Sequence, residues 1–543
     1  MSHSEVTDEF ILPKEAAESH VVSEKTHDHA APHDYLSAVE NGEDVPVPPN
    51  PLQRWVLTLE RQAGVEARGI ERVPESLRAK KTTLMDYVQM CLIWFSANLT
   101  ANNLMVGLLG PLLFGLGLTD GMLLGTFGSL LGSAGAGYIS TFGPISGNRT
   151  LVSRTFALTE YATNTRLQVI ARYTMGWWPS RLCVLLNIVI MLGYGLIDIL
   201  IAGQILSAVN GGGLTVIVGV IVAAIISLVI VVFGIRVFHT YERYAFLPQL
   251  IVLFILVGVA GPYFDTSSST VGDSEVKAAD RMSFFFLCVS GPLAWSPAAA
   301  DFYVYFPPDA KRWKVFLSTT IGLGLSCVMA NVLGVGIASG VPLKPEWNDA
   351  YQVSTGALFV QCFQPLGTFG HFCSVIMALG LIANNVPGTY SAALSFQLLG
   401  RWLMAIPRLF WTFVGVIIYT VCACAGRNKL YEVFQNFLAL MGYWTAIWVA
   451  ITLEEEFIFR RRRGGYNWEV WNDPKKLPIG LAALVAFCVG WVGAVLGMWQ
   501  TYFTGPLARQ VGDGIDLGMP VAASWGALTY PPLRWLELKY FGR

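Results

Sequence analysis

The stretch Trp94-Phe-Ser-Ala-Asn-Leu-Thr100, followed at once by Asn102 and Asn103, sets a polar cluster in the middle of the otherwise apolar run Leu84–Gly117. A helix that crosses lipid must satisfy its N–H and C=O groups internally, so ~20 apolar residues read as a span. Polar residues in its centre then read as an interruption. A second stretch, Ser290-Gly-Pro-Leu-Ala-Trp-Ser-Pro297, puts two prolines and a glycine inside the run Met282–Phe306. Proline there deletes an N–H and collides with the preceding turn, so breaks are expected at Gly291, Pro292 and Pro297. Ala383-Asn-Asn-Val-Pro-Gly388 adds a third expected break, at Pro387 and Gly388.

Working outward, ten further runs have the length and apolarity of spans: Leu118–Phe142, Leu182–Leu206, Leu214–Phe233, Phe246–Phe264, Phe316–Val341, Gly370–Leu399, Leu409–Cys424, Leu430–Leu453, Leu477–Met498 and Leu517–Trp535. The expected fold class is therefore an all-α integral membrane protein with about twelve transmembrane helices. The 543 residues are 54% hydrophobic and only 13% charged, against roughly a quarter charged in soluble domains. A formal net charge of -1 gives no reason to expect a nucleic-acid partner. Lys and Arg resist translocation, and they gather in alternate loops: Arg68 to Lys81 before span 1, Arg149 to Arg172 after span 2, Arg236 and Arg243 after span 4. Lys311, Arg312 and Lys314, then Arg401 and Arg408, Arg460–Arg463, and Arg534, Lys539 and Arg543 continue the same side. Both termini are thus expected in the cytoplasm.

The organisation expected is a polar cytoplasmic tail over 1–80, a ten-helix core over 81–455, a basic cytoplasmic loop over 456–476, and spans 11 and 12 over 477–543. Nine cysteines lie mostly in apolar runs without metal-type spacing, so no metal and no cofactor are expected. No phosphate loop or nucleophile elbow appears, which argues against an ATP-driven pump or a hydrolase.

Interrupted helices expose backbone groups at mid-membrane, where secondary transporters bind their solutes. Spans 1 and 6 lie five apart, the spacing of a five-plus-five inverted repeat with two helices added; a pair of ordinary proline kinks is the alternative. In span 3, Tyr194 and Asp198 are four apart and share a helix face. A mid-membrane carboxylate is costly and marks function by default, although hydrogen bonding for packing would also explain it. Asn384 and Asn385 in span 8 can each offer one donor and one acceptor to a heterocycle edge, or bond to span 1 instead. The expected pocket comprises Ser96, Asn98, Tyr194, Asp198, Trp295, Asn384 and Asn385, whose aromatic faces and convergent amides suit a flat, polar-edged ring.

These residues resemble the fungal purine–cytosine permease branch of the nucleobase–cation symporter family (first class). The resemblance rests on Trp94–Asn98, Gly147-Asn-Arg-Thr150, Gly176-Trp-Trp-Pro-Ser180, Leu192–Asp198 running on to Gly203-Gln204, Gly291–Asp301, and Asn384-Asn-Val-Pro387. It implies the LeuT-type inverted repeat and import of purine bases or cytosine with protons across the plasma membrane, with no covalent catalysis. It also implies that Ser96 lies at the site, that Trp295 stacks, and that Tyr194 and Asp198 form the span-3 pair. Characterised permeases more usually carry Trp with Asn at that pair, and often another Asn where this chain has Gly388. Other branch members carry flat heterocycles such as pyridoxine-type vitamins, which stand as the alternative substrate. Sodium-driven members use span-8 hydroxyls, and Met377–Ala383 offers none, so H+ is the expected coupling ion. Asp198 is its expected carrier, because a desolvated carboxylate is costly to keep ionised. The segment from about Val152 to Gln168 interrupts a loop that is shorter in relatives; its Val-Ser start, Leu-Gln end and short length would fit a retained intron, with a genuine loop as the alternative.

Overall fold

The computed structural model describes residues 79–146, 170–233, 235–404, 406–470, 473–512 and 514–543. The Gly147–Thr150 motif, the tail before residue 79 and the 152–168 segment lie outside these. A helix lies at each of the twelve apolar runs. The principal helices are α1 (Leu84–Asn98), α2 (Ala101–Phe114), α3 (Leu118–Ser140), α4 (Ser180–Val209), α5 (Val216–Phe233), α6 (Ile235–Ala260), α7 (Ser274–Leu293) and α8 (Ser296–Ala299). They continue as α9 (Arg312–Gly340), α10 (Pro345–Val353), α11 (Thr355–Cys362), α12 (Thr368–Leu398), α13 (Arg408–Gly426), α14 (Leu430–Glu454), α15 (Leu481–Gly497) and α16 (Gly518–Phe541). Among the described residues, seven helices are long and apolar enough to cross a membrane, or eight when α1 and α2 count as one bent span.

The break in the first span is real and sharp. Thr83 and Asp86 cap α1 reciprocally, and the helix runs to Asn98; α2 starts at Ala101 with its axis turned by 60°. In the run Met282–Phe306, α7 continues through Gly291 and Pro292 to Leu293, and only a two-residue turn at Ala294–Trp295 parts it from α8, without the sharp bend of the first run, so that Ser274–Tyr303 counts as one span. Pro297 sits in the first turn of α8, where its missing N–H has no intrahelical partner to lose. The third expected break is corrected: α12 runs uninterrupted from Thr368 to Leu398 through Pro387 and Gly388. One proline frees a single carbonyl, which packed neighbours in a membrane protein can satisfy, so the helix persists.

The helices sort into groups. α9 packs against α1, α2 and α3, and α7 against α3; α12 packs against α4, α5 and α13. α14 lies against α7 and α16, while α15 and α16 pack on each other. Without a hydrophobic drive between helices in lipid, close backbone approach carries much of this association. At Gly334 on α9, an added Cβ would strike the Leu104 carbonyl and lie 3.0 Å from the Cα of Gly107 on α2. Gly334→Leu is expected to push α9 off α2 and remove most monodisperse protein in detergent size-exclusion chromatography. Gly258→Ala, with nothing within 4 Å, is expected to leave the profile unchanged.

Ion pairs place the loop ends. Arg312 at the start of α9 reaches Glu456 just past α14, and Arg534 near the end of α16 reaches Glu455, so these ends share one side. At the starts of α3 and α7, Arg281 bonds Asp120 at 2.6 Å. A small antiparallel hairpin, Trp499–Gln500 with Phe503–Thr504, joins α15 to α16. Beyond it Asp516 accepts hydrogen bonds from Tyr443 (2.6 Å), Gln500 (2.9 Å) and the Gly518 N–H (2.9 Å), and its own N–H donates to Ser283 on α7.

Burial pushes the Asp516 carboxyl up to about 6 from 3.8, outweighing those hydrogen bonds, which pull the other way. The folded state therefore holds this proton more tightly than the unfolded chain does. Its contribution to stability falls as pH rises from about 4 through 6 and is level above. Relative to Asp516→Asn, the unmodified protein is expected to lose melting temperature across that window; parallel melting curves for the two would overturn this assignment.

Candidate site at the helix breaks

Asp198 is fully buried on α4, and both of its oxygens are taken by amides. Asn102 Nδ2 donates to Oδ1 at 2.9 Å, and Asn384 Nδ2 donates to Oδ2 at 2.9 Å. Asn102 is oriented in turn by Thr100, whose hydroxyl donates to Asn102 Oδ1. Thr100 and Asn102 belong to the first turn after the break in the first span, so the carboxylate joins three separate elements: α2, α4 and α12. Tyr194, one turn before Asp198, donates its hydroxyl to the Gly291 carbonyl at 3.3 Å, one turn before the Ala294–Trp295 interruption. The two interrupted helices thus meet one face of α4.

A second set of bonds ties the breaks to each other. Trp295 Nε1 donates to Asn98 Oδ1 at 2.7 Å; Asn98 Nδ2 donates back to the Trp94 carbonyl at 3.1 Å. Asn103 Nδ2 donates to the Asn98 carbonyl at 2.6 Å, capping the end of α1. Trp94 and Trp295 pack edge to face at 5.7 Å, and Phe437 meets Tyr194 edge on at 5.5 Å. Asn384 Oδ1 and Ser296 Oγ are buried here without a partner. Leaving such atoms unpaired is costly, so they mark where a guest or a water completes the site.

Of the residues expected from sequence, Asn98, Tyr194, Asp198, Trp295 and Asn384 come together. Asn385 turns away. Its Nδ2 donates to Tyr419 (3.2 Å) and Ser227 (3.4 Å), and its Oδ1 accepts from Thr389 (3.1 Å), which locks α12 to α13 and α5. Adjacent helical residues point about 100° apart, so Asn384 and Asn385 cannot serve the same face. Ser96 is half-buried and lies about 200° around α1 from both Trp94 and Asn98, outside the hydrogen-bonded cluster. Asn102 is the residue that sequence reasoning passed over. Its signal lies in the polar run after Thr100, at the first turn of the second half-helix.

Chemically, the cluster is a desolvated carboxylate with fixed amide donors, flanked by indole and phenol rings. Among the described residues no group of His, Cys, Asp and Glu could hold a metal ion. Such a site can bind a flat ring through hydrogen bonds and aromatic contact.

Residues 72–505 match the model of a family described as permease for cytosine/purines, uracil, thiamine and allantoin. The purine-cytosine permease fcyB of Emericella nidulans is 32% identical over 89% of this chain and 91% of its own length. The vitamin B6 transporter TPN1 of Saccharomyces cerevisiae is 30% identical, covering 90% of each chain. Among solved structures, Mhp1, a nucleobase-cation-symport-1 family transporter in a closed conformation with bromovinylhydantoin bound, superposes with a TM-score of 0.62. Its identity is 15%, over 88% of this chain and 96% of that one, a likeness of fold.

Proposed function

The chain belongs to the family of permeases for cytosine/purines, uracil, thiamine and allantoin, and on that premise we propose that it imports purine bases or cytosine together with a proton by alternating access. The observation that carries this reading is the buried Asp198 held by Asn102 and Asn384 where the broken first span meets α4 and α12. A carboxylate at that depth is expensive, and amides on two other helices give it a place to load and release charge as those helices shift.

In this reading the chain spans the plasma membrane twelve times with both termini in the cytoplasm, and spans 1–5 and 6–10 form inverted repeats. The packing of α9 on α1–α3 and of α12 on α4, α5 and α13 supports it, since such repeats create two groups that rock against each other. Trp295 and Tyr194 flank the ring, and Asn98 and Asn384 meet its edges.

A second reading keeps the fold and changes the guest. The acid at position 198, where the permeases usually carry an amide, and the similarity to a vitamin B6 transporter favour a pyridoxine-type vitamin. Uptake of radiolabelled cytosine, adenine and pyridoxine by cells lacking their own carriers, at two pH values, tests both. Base uptake that rises as the medium is acidified supports the first reading, and pyridoxine uptake without base uptake supports the second. Uptake of none of the three overturns both.

A further inference from the structure

Asp198 presents only acceptors as a carboxylate, whereas protonated it presents one O–H donor beside one acceptor. Each of its oxygens holds a single amide donor, leaving about one lone pair on each for a guest. Asn384 Oδ1, buried next to it, is a further acceptor with no donor. Other groups do not blur this. The remaining titratable side chains near it are the phenols of Tyr194 on α4 and Tyr419 on α13 and, beside Tyr194, the Cys327 thiol on α9. No Lys, Arg or His among the described residues bonds to Asp198, so its proton is free to follow the guest.

We infer that the edge of the bound heterocycle decides whether a proton is taken up with it. This rests on the nucleobase reading above and narrows its proton coupling to bases that present a donor–acceptor edge. Cytosine offers N3 as an acceptor beside its N4 amino donor. Against a carboxylate the N3 lone pair faces oxygen lone pairs and repels them; with one proton between Asp198 and N3, both contacts become hydrogen bonds. That proton comes from the bathing solution, sits in the O–H···N bond, and is released with the base, with no covalent bond made or broken. Guanine offers two adjacent donors, N1–H and the N2 amino group, which satisfy the ionised carboxylate and the neighbouring acceptors with no added proton. A donor–acceptor edge is therefore bound with one proton and a donor–donor edge with none, so the site couples the first class to the proton gradient and not the second.

The test measures binding of radiolabelled cytosine to the purified full chain in nanodiscs, with guanine as competitor, at pH values about two units apart. Above the range where Asp198 titrates in the empty protein, cytosine affinity is expected to fall roughly tenfold per pH unit, while guanine affinity holds or improves. Parallel pH dependence of the two bases, or guanine weakening more than cytosine, overturns the inference while leaving the nucleobase reading intact. Binding of neither base overturns that reading itself. In Asp198→Asn the amide supplies a donor and an acceptor at every pH, so cytosine binding should lose its pH dependence and guanine should weaken at least tenfold. Should that variant not fold, the two-ligand comparison on the unmodified protein decides alone.

Discussion

Cells expressing the Asp198→Asn protein are expected to take up cytosine at a rate that no longer changes with external pH, and to accumulate it no further than equilibrium. Under the proposed mechanism each proton carried inward contributes about 1.4 kcal/mol per pH unit of gradient, roughly tenfold in concentration ratio, and this factor is what disappears. The substitution is nearly isosteric, and the site can absorb it. The new amide would aim an N–H at one of the two asparagines that now donate to the Asp198 carboxylate, setting two donors face to face. Asn384 relieves that conflict by turning its amide over, because its Oδ1 is buried without a partner and becomes the acceptor required. The other contact, from Asn102 Nδ2, is kept by the remaining oxygen. Binding therefore survives while charge movement does not. Counterflow of labelled cytosine in proteoliposomes reads the first, and pH-driven accumulation reads the second. Accumulation that still tracks pH would remove Asp198 from the coupling step.

The spans are legible because lipid imposes one demand on every residue of a run. No comparable rule governs how a polar side chain is turned. The runs from Leu84 to Trp535 all form helices, and the cluster after Trp94 forms a 60° bend, because unsatisfied backbone in hydrocarbon leaves few alternatives. Asn384 and Asn385 are chemically identical neighbours, and only their phase on α12 separates a residue on Asp198 from one that ties α12 to Tyr419 and Ser227. That phase depends on where α12 packs, which no local pattern states. Pro387 misleads for a related reason: packed neighbours can carry a helix through a proline, and α12 packs on α4, α5 and α13 among others. The short helices α10 and α11, of 9 and 8 residues, escape a search for spans because they are too short to cross lipid. α11 docks on α4, where the Gly356 N–H donates to Gln204.

Glu455→Ala is expected to cost about 3–5 kcal/mol, a large loss for a single truncation, because it strands a buried guanidinium. Glu455 is 0% exposed in the π-helical turn that ends α14, and Arg534 on α16 is 2% exposed. One carboxylate oxygen accepts from Arg534 Nε (3.0 Å) and the Tyr530 hydroxyl (2.8 Å); the other accepts from Arg534 Nη2 (3.0 Å) and Arg460 Nε (2.7 Å). Arg534 also donates to Glu537, whose oxygens accept from the N–H groups of Gly480 and Ala482 where α15 begins. Two acids and two arginines thus join the ends of α14, α15 and α16, and removing one acid leaves positive charge in excess. The double variant Glu455→Leu with Arg534→Leu is expected to recover much of the loss, since apolar replacement of a buried pair is often close to neutral and Glu537 keeps the α15 start as its partner. Removing the exposed Lys429–Glu432 pair should cost under about 1 kcal/mol. Thermal melting of the purified proteins reads all three. If Glu455→Ala melts with the unmodified protein, or the double variant melts below the single one, the network is not what holds these three helix ends together.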